Sequence, residues 1–261
     1  MASEEALTAQ HGGEHGSGAG IDPMHQFQIE PIIPFHIGGY DLSFTNSALF
    51  MLIAVVSITL FTTVTMRRRA LVPGRWQSMA ELSYEFVANM VRDNVGSKGQ
   101  KYFPFIFSLF MFVLFCNMLG LVPYSFTVTS HIIVTFALAT IVFVGVTIIG
   151  FAKHGAHFLT YFVPKGVPVI LLLLLVPIEI ISYLTRPLSL SVRLFANMMA
   201  GHTMLKVFAA FVIGLGVLGG WAPLAFMMVF TGLEMLVALL QAYVFAILTC
   251  LYLNDALHLH H

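Results

Sequence analysis

Apolar residues fall in blocks about as long as a membrane is thick. The first uninterrupted block is Ala48 to Met66, closed by Arg67, Arg68 and Arg69. A second runs from Phe103 to Val122 and stops at Pro123, and a third from Ile132 to Ala152. Between Tyr102 and Ala152 there is no Asp, Glu, Lys or Arg. Each block has about the 20 residues that an α-helix needs to cross the hydrocarbon layer. Residues 77–93 carry another pattern. Met79, Leu82, Phe86 and Met90 recur on one helical face, and Glu81, Glu85 and Asn89 lie on another. That pattern predicts an amphipathic helix lying in the interface.

The C-terminal part is apolar over longer distances. From Val167 to Gly214 there is no strong loop signal. One helix of that length would measure on the order of 70 Å, against a hydrocarbon layer of about 30 Å. The segment must break or tilt, and Pro177 and Pro187 are the bend sites that proline chemistry offers. Gly214 to Pro223 reads as a turn, and a last helix of roughly 46 Å follows to Asn254. Two overlong helices in succession predict a tilted hairpin. The fold expected is an all-α polytopic membrane protein with about five membrane-embedded helices and one interfacial helix. Helices are placed at 48–66, 77–95, 103–122, 132–152, 167–214 and 223–254, within one membrane domain spanning 47–254. Residues 1–46 form an N-terminal segment, small and polar at first and then punctuated by proline up to Pro34. They have no basic signal-peptide start and are read as mature sequence. Residues 255–261 form a tail.

Composition agrees. Of 261 residues, 58% are hydrophobic and 9% charged, where a soluble domain carries about 25% charged residues. A formal net charge of zero gives no reason to expect nucleic acid. Cys116 and Cys250 lie inside apolar blocks, placed for neither a disulfide nor a metal site. Basic residues set the orientation. They are missing before Arg67, dense from Arg67 to Lys101, missing around Pro123 to His131, present at Lys153 and Lys165, and missing from 214–223. The alternation puts the N-terminus outside and the C-terminus in the cytoplasm.

Polar groups inside apolar helices are costly and mark function by default. Glu179, Arg193, His202, Glu234 and Gln241 are the buried polar candidates. A guanidinium stays protonated under ordinary conditions, so Arg193 cannot relay a proton. It can hold a carboxylate ionised and repel protons. The competing reading is an internal ion pair with Glu179 or Glu234. Glu179, Arg186 and Arg193 recur every seven residues and would align on an unbroken helix, although Pro187 interrupts the stretch. His202 lies nine residues after Arg193, half a turn round, and should serve another surface. A lone intramembrane histidine could also be a satisfied packing residue. Glu234 and Gln241 are seven apart and share a face. The orientation puts Glu179 on the inner side, Arg193 about 21 Å further along, and His202 with Glu234 beside the outer turn. These are two half-paths separated by a fixed cation. They need a moving carboxylate that this chain does not offer, so a partner is implied.

The run Pro177-Ile178-Glu179, Arg186-Pro187-Leu188-Ser189-Leu190, Arg193-Leu194-Phe195-Ala196-Asn197 and Ala200-Gly201-His202 resembles the signature of F-type ATP synthase a subunits, as does Leu240-Gln241-Ala242-Tyr243 through Thr249. Asp22-Pro23-Met24-His25-Gln26-Phe27 is similar to alphaproteobacterial members. The resemblance implies a non-catalytic, proton-translocating stator subunit of the bacterial inner membrane, with no cofactor or metal. Its implied partners are a c-subunit ring, b-type stalk subunits, the F1 sector through the complex, and the bilayer. It implies that Arg193 meets the ring carboxylate, with Gln241 beside it and Asn197 one turn on. It places Glu179 in the cytoplasmic half-channel and His202 with Glu234 in the outer one, as acid and imidazole exchanged relative to many bacteria. Ala196 stands where a glycine is common. Proton over sodium specificity follows from the lack of a coordination cluster. A secondary proton-coupled transporter is the main alternative, but no internal inverted repeat is visible. A purely structural anchor has no use for Arg193.

Overall fold

The computed structural model describes residues 29, 31–34, 36–37, 40–41, 43–67, 74–122, 125–155, 157–158, 163 and 168–258. The expectations for Asp22–Phe27, Arg68, Arg69, Pro123, Lys165 and the end of the C-terminal tail lie outside these residues.

The described residues are mostly helical, with short strand pairings ahead of Asn46. Strand β1, Pro31–Ile33, pairs antiparallel with β4, Phe44–Thr45, and β2, His36–Ile37, pairs with β3, Tyr40–Asp41. Six helices follow: α1 Asn46–Met66, α2 Arg75–Val95, α3 Phe103–Gly120, α4 Ile132–His154, α5 Val169–Gly219 and α6 Trp221–Leu257. Short 3₁₀ turns at Ser97–Tyr102 and Val128–Ser130 precede α3 and α4. Among the described residues, five helical stretches are long and apolar enough to cross a membrane; α2 is not one of them.

Local chemistry sets the helix ends. The Thr45 hydroxyl accepts a hydrogen bond from the Ala48 amide and caps α1, satisfying one of the free N–H groups of the first turn. Inside α1, the hydroxyls of Thr59, Thr62 and Thr63 donate to carbonyls one turn back at 2.6–2.8 Å. Apolar surroundings tolerate these hydroxyls because none of them lacks a bond.

Of the two outcomes expected for this segment, a break or a tilt, α5 shows no break at either proline. Pro177 and Pro187 both lie inside the helix, and its one non-helical residue is Gly216, at φ 61° and ψ −162°. A proline costs one backbone bond and bends the axis, but neighbouring helices can hold the path. Here Pro187 is buried. The left-handed conformation at Gly216 costs little because glycine has no Cβ, and it starts the reversal into α6. At 1.5 Å per residue α5 is on the order of 75 Å long, so tilting rather than breaking must reconcile it with a membrane. The turn is tighter than predicted, and α6 begins at Trp221, ahead of Pro223.

α5 and α6 pack as an antiparallel hairpin. Near its tip Phe208 stacks on Phe226 and meets Phe230 at a tilt, at 6.0 and 5.3 Å between ring centroids, and Arg186 meets Asp255 at its open end. The inward face of α6 is a row of small residues, Ala238, Ala242, Ala246 and Cys250, all fully buried. Small side chains let helices approach closely where lipid offers no hydrophobic drive. Ala242, Ala246 and Cys250 join a core of Val87 and Val91 from α2, Ile106 and Val113 from α3, Val142 from α4, and Leu190 and Leu194 from α5. α2 corrects the expected apolar stripe. Met90 turns inward with Val87 and Val91, while Met79, Leu82 and Phe86 remain exposed. Glu85 and Asn89 are also exposed, and Glu81 accepts a 2.8 Å bond from Gln77. Cys116 and Cys250 are free and buried.

Candidate functional site: a polar track along the helical hairpin

The expected polar residues fall into three groups along α5 and α6. The first is near the hairpin's tip. His202 and Glu234 are buried, at 8% and 4% exposure. His202 Nδ1 lies 3.4 Å from Glu234 Oε1, and its Nε2 lies 3.0 Å from the hydroxyl of Thr127. Residues on either side of the turn thus meet across it, and the buried histidine lies between an acid and a hydroxyl. Gly201 makes room for it. A Cβ there would stand 2.6 Å from Glu234 Oε1 and 3.0 Å from its Cδ, so no larger residue fits without moving the carboxyl.

Sequence reasoning missed the other side of this group. Thr127 and Thr129 lie in the connection between α3 and α4, and Thr129 donates a 2.9 Å bond to the side-chain carbonyl of Asn117. Asn117, fully buried on α3, donates in turn to the backbone carbonyl of Ala238 on α6 at 3.3 Å. A lone asparagine between Cys116 and Met118 was the one available signal, since an amide buried in an apolar helix must find a partner.

The second group lies midway. Gln241 is buried and accepts a 2.9 Å hydrogen bond from Asn197 Nδ2 across the hairpin. Arg193, one turn before Asn197, corrects the expectation of a buried cation: it is exposed. Its half-turn offset from His202 puts the two on different surfaces, one inside the bundle and one outside. The internal ion pairs considered for Arg193 are not formed, since Glu234 meets His202 and Arg193 makes no hydrogen bond or ion pair with any described residue. An ionised group is rarely left on an apolar helix without a counter-charge or water. Among the described residues no acidic side chain meets it.

The third group is at the open end. Glu179 is half-buried, with no ion pair to a described residue. Arg186, seven residues on, contacts Asp255. Among the described residues no cluster of three or more His, Cys, Asp or Glu side chains could hold a metal ion.

Long apolar helices, a buried acid–imidazole pair and an uncovered arginine on one hairpin define a multi-pass helical membrane protein with ionisable groups placed along its spans. Residues 48–254 match the ATP synthase A chain family, and the chain belongs to that family. It is 63% identical to the ATP synthase subunit a of Pelagibacter ubique, over 92% of this chain and 99% of that protein. It is 61% identical to that of Parvibaculum lavamentivorans, over 94% and 97%, and 59% identical to that of Rhodospirillum rubrum, over 91% and 99%.

Proposed function

We propose that this chain is the stator a subunit of an F-type ATP synthase, supplying two half-channels and a fixed arginine that couple proton flow to rotation of a c-subunit ring. The observation that carries the reading is Arg193. It is exposed, has no partner among the described residues, and stands on the hairpin between an outer group of His202 and Glu234 and an inner group containing Glu179.

The chain lies in the bacterial inner membrane with its N-terminus in the periplasm and its C-terminus in the cytoplasm, as the distribution of basic residues supports. Residues 47–254 act as one membrane domain, with α2 along the interface and the hairpin tilted across the bilayer. Protons enter beside His202 and Glu234. An imidazole and a carboxyl at 3.4 Å can pass a proton between them after a small approach, and neither oxygen of Glu234 is hydrogen-bonded to a described residue. The proton passes to a ring carboxylate, the ring turns, and the carboxylate loses its proton to the inner path at Glu179. As it passes Arg193 the guanidinium favours its ionised form, since an opposite charge within about 4–6 Å does so. The same cation keeps the half-channels from joining. Asn197 and Gln241 hold the two helices in register beside it. The driving force is about 2.3 kcal/mol per charge per 100 mV, so the contact with Arg193 must be brief. The ring, b-type stalk subunits and the F1 sector complete the machine.

The test is Arg193→Ala, assayed for ATP synthesis by the whole complex and for passive proton uptake by vesicles holding the membrane sector alone. Synthesis should vanish and leak should rise. Normal synthesis would make Arg193 a structural residue and end this reading.

A further inference from the structure

His202 meets a different element at each ring nitrogen. Nδ1 faces Glu234 Oε1 on α6 at 3.4 Å, and Nε2 lies 3.0 Å from Thr127 Oγ1 in the connection between α3 and α4. Thr127 is 3% exposed, so its hydroxyl must find its bonds inside the protein. A hydroxyl has one hydrogen to donate, and the Gly120 carbonyl accepts this one at 3.4 Å. Gly120 ends α3, where a carbonyl has no donor inside the helix, and it accepts from Ser125 at 3.2 Å as well. A Cβ on Gly120 would stand 2.7 Å from Thr127 Cγ2 and 3.0 Å from Oγ1, so a larger residue would push the threonine aside. The connection is held on its other side too, where Ser130 Oγ donates a 2.6 Å bond to the Thr127 carbonyl.

These contacts bear on which ring nitrogen carries hydrogen. A neutral imidazole holds one, and the bond made by one nitrogen sets the state of the other. With its own hydrogen turned to Gly120, the Thr127 oxygen accepts, and what it accepts is Nε2–H. Nδ1 is then bare toward Glu234. The Nδ1 side agrees, because at 3.4 Å Glu234 Oε1 receives no hydrogen bond from a described residue. An N–H donating to a carboxylate would close to about 2.7–2.9 Å.

We propose that Thr127 is a positioning residue of the outer proton path: it keeps the hydrogen of His202 on Nε2, so that Nδ1 is the nitrogen that works. The inference rests on the stator reading above and adds to it a residue from outside the hairpin. A proton from the outer side bonds to the Nδ1 lone pair and makes imidazolium. After a small approach the Nδ1–H bond breaks and an O–H bond forms on Glu234, whose carboxylate becomes the neutral acid. The imidazole is left as it began, with hydrogen on Nε2 against Thr127, ready for the next proton once Glu234 has passed its own on. Without the hydroxyl, an Nε2–H in this buried niche loses its acceptor. The imidazole would turn to the other tautomer, with Nδ1–H against Glu234 and no lone pair there to receive a proton.

The experiment compares Thr127→Val, Thr127→Ser, His202→Gln and the double variant Thr127→Val/His202→Gln with the parent, in whole complexes in membrane vesicles. Subunit content and the rate of ATP synthesis per assembled complex are measured. Thr127→Val keeps the size and loses the hydroxyl, and synthesis should fall about tenfold, the factor expected for one buried donor left unbonded. Thr127→Ser restores the hydroxyl and should recover most of that loss. The double variant should be no slower than His202→Gln, because Thr127 acts through the imidazole. In complexes carrying ¹⁵N-labelled histidine, the His202 signals are found by difference from His202→Gln. They should show hydrogen on Nε2 in the parent and a shift toward Nδ1 in Thr127→Val. Parental synthesis in Thr127→Val overturns the proposal. So does an equal loss in Thr127→Ser, a double variant slower than His202→Gln, or hydrogen on Nδ1 in the parent. If Thr127→Val does not assemble, Gly120→Ala takes its place, since it moves Thr127 with its chemistry intact. A several-fold loss with the same shift toward Nδ1 then supports the proposal, and parental synthesis overturns it. Arg193→Ala is run alongside. Should it synthesise ATP normally, the stator reading fails whatever Thr127 does. Should it be inactive while Thr127→Val is parental, only this inference fails.

Discussion

His202 Nδ1 and Glu234 Oε1 lie 3.4 Å apart across the tip of the α5–α6 hairpin, in a niche that Gly201 keeps open and Thr127 closes. A proton could move between them with little rearrangement, and the carboxyl's position depends on a residue with no side chain.

Glu234→Gln keeps the shape and removes the proton carrier. Positioned acid–base groups contribute about 10²–10⁴ in rate, and water in the path will replace part of that. Synthesis driven by a proton gradient should fall at least about tenfold, with coupling intact. Gly201→Ala, which displaces the Glu234 carboxyl without touching its chemistry, should slow synthesis several-fold. Parental rates in both Glu234→Gln and His202→Ala would remove the pair from the path.

Arg193→Lys keeps a cation at the same position but loses the planar fork and adds a strongly hydrated ammonium. Synthesis should be severely impaired, as in the alanine variant, yet passive leak should stay low because the charge barrier persists. Comparing leak between the two variants separates repulsion of protons from recognition of the carboxylate.

The Asn197–Gln241 bond predicts non-additivity. Residues that act through one shared hydrogen bond couple in a double-mutant cycle. Asn197→Ala and Gln241→Leu should each lower the synthesis rate, and the double variant should be no worse than the poorer single. Losses that multiply would mean that each residue acts alone.

The exposed surface of α5 predicts where a ring can touch. Ser189, Ala196 and Asn197 are exposed near Arg193, whereas Leu190 is 1% exposed and packed in the core. Single cysteines at Ser189, Ala196 and Asn197 should cross-link to cysteines on a c subunit, and one at Leu190 should not. Efficient cross-linking through Leu190 would show that the helix is rotated relative to the ring.

His131, in the turn before α4, stacks on Phe126 with ring centroids 4.9 Å apart, and its Nε2 is buried with no bond to a described residue. Burial lowers its pKa below the ordinary histidine value. The folded turn therefore favours neutral imidazole. Its contribution to stability is complete above about pH 6.5 and is lost as the pH falls through the lowered folded value. Hydrogen exchange in residues 125–131, corrected for its intrinsic pH dependence, should accelerate as the pH falls below the ordinary histidine range of about 6.5. His131→Phe should flatten that response, and an equal acceleration in the variant would clear His131 of the effect.

Much of this protein follows from its sequence alone. The long apolar blocks are legible because a bilayer allows its spanning segments few ways to satisfy their backbone, so length and hydropathy determine where helices run. Costly polar residues stand out against that background, and this made Arg193, His202, Glu234 and Gln241 visible without coordinates. The seven-residue spacing of Glu179, Arg186 and Arg193 was equally plain. Packing decided the rest. Length alone left a break or a tilt open for α5 and proline chemistry offered two bend sites, whereas the structure keeps α5 helical past both prolines and puts its non-helical residue at Gly216. Helical periodicity could not say which side of α2 its neighbours would cover, so Met90 turned inward. The contacts of Thr127 and Asn117 with the hairpin, and the union of Arg186 with Asp255, join residues far apart in the chain, and no local rule contains them. Sequence named the charges because burying them is expensive. Only the tertiary structure showed which were paired with other described residues and which, Arg193 above all, make no hydrogen bond or ion pair with them.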